Sequence, residues 1–152
     1  VRVVTNIPIT VGKGLTGIAW GENLTKDQKQ ITKKLFENTS KIYEFTEDYL
    51  DIFLALTSSG PAIIALIIEA LSDGGLSGGL PKILSEELIM EMILGTISLI
   101  KENQLTPSEL KNLVTSPGGT TISALRVLEK KSVRSALIES IVSASNRSKE
   151  FN

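Results

Sequence analysis

The chain has 152 residues, with 16 Lys or Arg against 17 Asp or Glu for a formal net charge of −1; that length holds one domain, or a modest domain plus part of another, with a real core. Charges of both signs are interspersed, so neither a basic nucleic-acid face nor a polybasic membrane anchor stands out. Cysteine and histidine are both absent, which removes disulfides, thiol nucleophiles, imidazole acid–base chemistry and the usual zinc ligands together. Hydroxyls, carboxylates, lysine or a bound cofactor must carry any activity.

Val1-Arg2-Val3-Val4 starts the chain without a Met and without a charged segment leading into a long apolar run, so the chain is expected to begin inside a longer protein. Residues 2–5 and 15–20 are short β-prone runs separated by Pro8, Gly12 and Gly14. Thr25 caps a predicted helix with Ile31, Leu35 and Phe36 on its apolar face and Lys26, Asp27, Lys29, Lys33 and Lys34 in water. Residues 41–45 form another predicted strand. Strand, strand, helix, strand is too little sheet to cover a core, so residues 1–45 look like the end of a larger α/β sheet. Gly12-x-Gly14 followed by Gly17 gives the letters of a dinucleotide fingerprint, but it follows a proline loop and enters a β-prone run rather than a helix, so it is rejected.

From Thr46 onward helix follows helix. Thr46, Glu47 and Asp48 make an acidic helix start with Leu50, Phe53 and Leu54 as its apolar face, ending at Thr57-Ser58-Ser59-Gly60. Pro61 opens the next helix, apolar from residue 62 to 71 except for Glu69; Asp73-Gly74-Gly75 is expected to stop it, and Gly78-Gly79-Leu80-Pro81 to restart the chain. Residues 83–100 form a further apolar helix. Glu86, Glu87 and Glu91 interrupt that run and residues 63–68 are too few to span, so neither is expected to cross a membrane. Two helices this apolar call either for an oligomer with interdigitated helices or for the centre of a bundle within one chain. Thr106 and Pro107 open a short helix through Leu113, residues 122–128 are helical, and Val133, Leu137, Ile141 and Ala144 mark the last helix. Paired carboxylates such as Glu86/Glu87 and Glu139/Glu150 are read as solvated or ion-paired surface.

Val114-Thr115-Ser116-Pro117-Gly118-Gly119-Thr120-Thr121-Ile122 delivers the chain into a helix start. Such a turn presents N–H groups and the positive end of a helix dipole, a seat for a carboxylate or phosphate. The alternative is that Thr120 caps the helix and the glycines only turn the corner.

Thr5-Asn6-Ile7-Pro8, Ser59-Gly60-Pro61-Ala62, the Asp73-Gly74-Gly75 and Gly79-Leu80-Pro81 turns, the Ser116-Pro117-Gly118-Gly119-Thr120-Thr121 segment and the closing Arg147-Ser148-Lys149-Glu150 together closely resemble pyrroline-5-carboxylate reductases, in order and over the whole chain. The resemblance implies a mainly α chain, in which residues 1–45 end a Rossmann-type NAD(P)-binding domain and residues 46–152 form an all-helical, interlocked dimerisation and substrate-binding domain. It implies hydride transfer from NADPH or NADH to 1-pyrroline-5-carboxylate, giving L-proline, in a cytoplasmic homodimer or larger assembly. No metal, nucleic acid or membrane is implied, and most of the cofactor site would lie outside this chain, which alone should reduce nothing.

By the same resemblance Ser116 and the amides around Gly118, Gly119 and Thr120 receive the substrate carboxylate, and Thr121 is the catalytic hydroxyl at the ring nitrogen. Glu47 and Ser59 line the substrate pocket, and Asn6 and Ile7 flank the nicotinamide. Three positions depart from the pattern: Ser58 stands where glycine is common, Ile63 where an aromatic is frequent, and Leu113 where a polar residue often meets ligand. A helical dimerisation module without chemistry, and a related reductase for another small imino or hydroxy acid, are the alternatives.

Overall fold

The computed structural model describes residues 1–151 and divides into two compact units, one from Val1–Ile63 together with the chain from Leu137 onward, the other Ile64–Ala136. The fold is mainly α, as expected, with one three-stranded sheet.

In the first unit β1 (Arg2–Thr5), β2 (Gly14–Ala19) and β3 (Ser40–Phe45) lie in that order, β1 antiparallel to β2 and β2 parallel to β3. A 3₁₀ turn at Ile7–Val11 closes the antiparallel pair. It ends at Gly12, whose φ of 69° lies in the left-handed region that glycine tolerates. The parallel pair needs a crossover, supplied by α1 (Lys26–Lys34). Thr25 and Gln28 form a reciprocal capping box at its start, while Asp27 in the first turn and Lys33 and Lys34 in the last complement the helix dipole.

A second 3₁₀ turn, Glu47–Tyr49, leads into α2 (Leu50–Thr57). This helix packs on the sheet at Gly17, where a Cβ would lie 2.7 Å from the Phe53 ring. Ile18, Ala19, Leu50, Phe53 and Ala55 make up the buried apolar core there. Arg2 reaches Glu47 at 2.7 Å and Asp51 at 3.1 Å, and Ser148, near the end of α7 (Val133–Lys149), donates to Asp51 at 2.7 Å. One cation and one buried carboxylate thus join β1, α2 and α7.

The second unit contains most of α3 (Gly60–Ser77), then α4 (Lys82–Glu102), α5 (Pro107–Leu113) and α6 (Thr120–Lys130). The expected stop at Asp73-Gly74-Gly75 is corrected: α3 continues to Ser77 and both glycines are helical. A Cβ on Gly75 would meet Ser85 Oγ at 2.1 Å, so this glycine is there to let α4 approach. The stop comes at Gly79, with φ 97°. With the longer α3, the stretch Glu47–Ser77 has a window apolar enough, by length and composition, to cross a membrane, although the turn at Ser58 and Ser59 divides it into α2 and α3.

Within this unit only Ser72 and Ser85 are buried among the described residues. Ile83 is 81% and Leu94 59% exposed, in company with Leu66, Leu88 and Met92. Helices α3 and α4 therefore present far more apolar surface than they cover in each other.

Candidate functional site

Within the second unit, α5 is opened by Thr106 and Glu109 in a capping box with Pro107 in its first turn. It ends at Val114, and the chain then makes a tight turn in which Gly119 N–H donates to Ser116 O at 3.1 Å. Pro117 supplies the fixed φ of the second position and Gly118, at φ 68°, the positive φ of the third, the requirements of a type II turn. Gly119 is required for a different reason, since a Cβ there would fall 2.4 Å from Ser116 Oγ.

The capping alternative for Thr120 does not describe this turn. Gly119 is the N-cap residue of α6 and no side chain caps the helix. Thr120 and Thr121 stand inside the first helical turn, and neither hydroxyl, nor that of Ser116, has a hydrogen-bond partner among the described residues. The first intrahelical amide bond is Ser123 N–H to Gly119 O at 3.3 Å, leaving the amides of Thr120, Thr121 and Ile122 without a backbone acceptor. Ser116, Gly118 and Thr120 are exposed and Gly119 and Thr121 half-buried. Three amides at the positive end of a helix, with three free hydroxyls, form an open seat for a small anion.

Cations that no motif in the sequence marks line the groove between α5 and α6. A cavity of about 890 Å³ between α5 and α6 is lined by Lys111, Thr115, Ser123, Arg126 and Lys130 among others. Nothing in the spacing of these lysines signals a site, because only the folding of α5 against α6 brings them to one groove. Leu113, 71% exposed, offers no hydrogen bond beside the turn.

In the first unit, the loop of Asn6 and the turn of Ser59 are tied through Thr57 and Ser58. The Asn6 amide donates to Thr57 O at 3.1 Å and accepts from Leu15 N–H at 2.8 Å, and Ser58 Oγ donates to Thr5 O at 3.1 Å. The α2–α3 turn that carries Ser59 is thereby fastened to the loop that carries Asn6 and Ile7. Ile7 itself is 66% exposed. Glu47 is placed elsewhere. It lies at the opposite end of α2, paired with Arg2 at the far end of β1, and holds the guanidinium above its ordinary pKa.

A nicotinamide cofactor would find only part of its site here. Ile7 is exposed, but the Asn6 side chain is buried and engaged at both ends, and the glycines at 12 and 14 do not form a phosphate cradle, since Gly14 enters β2 directly and spends its N–H on Thr39 O.

The pyrroline-5-carboxylate reductase dimerisation family matches residues 47–151. The pyrroline-5-carboxylate reductases of Synechocystis and Glycine max are 43% and 39% identical, over 99% and 100% of this chain and 57% and 56% of their own lengths. The crystal structure of Plasmodium falciparum pyrroline carboxylate reductase with NADP bound superposes with a TM-score of 0.94 at 32% identity, over 97% of this chain and 61% of that one. The chain thus spans just over half the length of the curated relatives it matches. With more than half of its residues inside the matched region, the chain belongs to the pyrroline-5-carboxylate reductase dimerisation family.

Proposed function

We propose that this chain is the dimer-forming and substrate-binding part of an NAD(P)H-dependent reductase that converts 1-pyrroline-5-carboxylate to L-proline. The observation that carries the proposal is the open turn at Ser116-Pro117-Gly118-Gly119, which leaves the amides of Thr120, Thr121 and Ile122 without acceptors at a helix N-terminus. A ring carboxylate satisfies those donors, and the hydroxyl of Ser116 adds a directed contact. With the carboxylate fixed, Thr121 Oγ1 is assigned to the ring nitrogen, where it holds the proton of the C=N group as that nitrogen becomes an amine.

The reduced nicotinamide supplies the hydride, two electrons and a hydrogen delivered to the imine carbon. The protein's part is to position, to neutralise and to hydrogen-bond, which suits a chain without His or Cys. Ser59 is assigned to the substrate side and the loop of Asn6 and Ile7 to the nicotinamide end, while Glu47, paired with Arg2 at the opposite end of α2, is set apart from Ser59. Residues 1–45 are assigned to the end of the nucleotide-binding domain and residues 46–152 to the helical domain.

The exposed apolar faces of α3 and α4 support a homodimer, with a second copy covering them. Removal of these faces from water in an interlocked dimer also accounts for the apolar Glu47–Ser77 stretch in a cytoplasmic enzyme. The 152-residue chain alone is proposed to be inactive, because most of the cofactor site belongs to residues it does not contain.

Isothermal titration of the reductase, assembled from this chain and a complete nucleotide-binding half, with L-proline tests the reading. Saturable binding that weakens when Thr121 is replaced by Ala supports it, and heat no greater than dilution, with or without NADP, contradicts it.

A further inference from the structure

Asn6 is only 7% exposed. Its side-chain oxygen is spent on Leu15 N–H at 2.8 Å and its nitrogen on Thr57 O at 3.1 Å. Paired rungs of the β1–β2 ladder end at Thr5 and Thr16, and beyond them the Asn6 side chain takes over the role of the strand by accepting the next free amide of β2. Its other end closes on the last residue of α2, 51 positions away. Beside it Ser58, at a position where the family resemblance leads one to expect glycine, adds a second tie from the same turn to Thr5 O.

We infer that Asn6 is a positioning residue for hydride transfer rather than a ligand of the cofactor: through Leu15 and Thr57 it fixes the Ser59 turn against the Ile7 loop, and Ser58 reinforces that tie. The inference rests on the function proposed above, because it assigns Ile7 to the nicotinamide side and Ser59 to the substrate side. Hydride transfer is steep in distance, and a misplacement of about 1 Å can lower the rate roughly a hundredfold while both partners still bind. An amide that joins the two loops therefore acts on turnover at saturation. A side chain that grips the cofactor acts on its affinity.

The test is a comparison of Asn6→Ala, Ser58→Ala and Ser58→Thr in the reductase assembled from this chain and a complete nucleotide-binding half. NADPH affinity is read by fluorescence and kcat at saturating substrates. Asn6→Ala should lower kcat ten- to a hundredfold with the NADPH dissociation constant within twofold of wild type. Ser58→Ala should lower kcat two- to fivefold, and Ser58→Thr, which keeps the hydroxyl, should restore it. A tenfold weaker NADPH affinity with kcat retained in Asn6→Ala, or no change in either quantity, overturns the inference. Should Asn6→Ala fail to fold, the Ser58 pair decides it, with equal kcat in all three proteins as the contrary result.

Amide hydrogen exchange on the 152-residue chain gives a readout independent of activity: Asn6→Ala should speed exchange at Leu15 while Ile18 stays protected. Loss of that difference overturns the tie itself. A wild-type reductase that does not reduce the imino acid overturns the proposed function instead.

Discussion

Ser85 Oγ on α4 donates to the backbone carbonyl of Ser72 on α3 at 2.8 Å, inside the buried point where the two helices cross. Both residues are small, and Gly75 one turn along α3 has no side chain at all, so the backbones can approach until a hydroxyl of one helix reaches the carbonyl of the other. Lys82 and Asp73, at 2.5 Å, flank the crossing with an ion pair. The geometry of this pair fixes how the two most apolar helices present their remaining faces.

Gly75→Ala should destabilise the chain. The new methyl would lie 2.1 Å from Ser85 Oγ and must push that hydroxyl off Ser72 O, and overpacking of this kind costs about 1–3 kcal/mol. Gly74→Ala makes the same change one residue earlier, where nothing stands within 4 Å. It should stabilise by roughly 0.5–1 kcal/mol through helix propensity and lost unfolded-state freedom. Urea denaturation of the two variants should move in opposite directions; equal shifts would show that Gly75 is not a packing glycine.

Sedimentation equilibrium of the 152-residue chain should give a dimer. Leu94, 59% exposed on α4, is expected to lie in the contact, and Leu94→Asp should shift the mass towards monomer by burying an unpaired carboxylate. A monomeric wild-type chain at micromolar concentration would count against the interlocked arrangement.

Stability should fall on the acid side through carboxylates held in their charged form. Glu109 accepts first from the backbone N–H of Thr106 and also from its hydroxyl, and its pKa is lowered from 4.5. A lowered folded-state pKa means that the contribution is complete above the unfolded value and is lost as pH drops through the folded one. Glu44, lowered by Lys33 and then by Trp20, has the same sign. The stability gap between wild type and Glu109→Gln should therefore be present at pH 7 and close below pH 4.5. A gap that persists unchanged to pH 3 would remove this group from the acid limb.

Much of this molecule could be read from local punctuation. Thr25 and Thr106 announce α1 and α5 through capping boxes, Pro117 with Gly118 specifies the type II turn, and the short runs around the proline loop give β1 and β2. What escaped the reading depends on partners distant in sequence. Gly74-Gly75 looks like a helix stop because the Ser85 that explains it is ten residues beyond Gly75 on another helix. The Asn6 ties and the Arg2–Glu47 pair join residues 51 and 45 apart, and the cations at Lys111 and Arg126 meet only after α5 folds against α6. The glycine–threonine turn was legible as a turn into a helix start, but that Gly119 rather than Thr120 caps α6 depended on backbone angles that the letters do not specify.

The most direct test of the account is to supply the assembled reductase with 1-pyrroline-5-carboxylate and NADPH carrying deuterium at the transferable position, and to read the product by mass spectrometry. The account predicts proline with one deuterium at the former imine carbon, a rate lower by roughly ten- to a hundredfold in Thr121→Ala, as expected for about 1.5–3 kcal/mol lost with one charge-assisted hydrogen bond, and no product from the 152-residue chain alone. Unlabelled proline, or a Thr121→Ala rate equal to wild type, would contradict it.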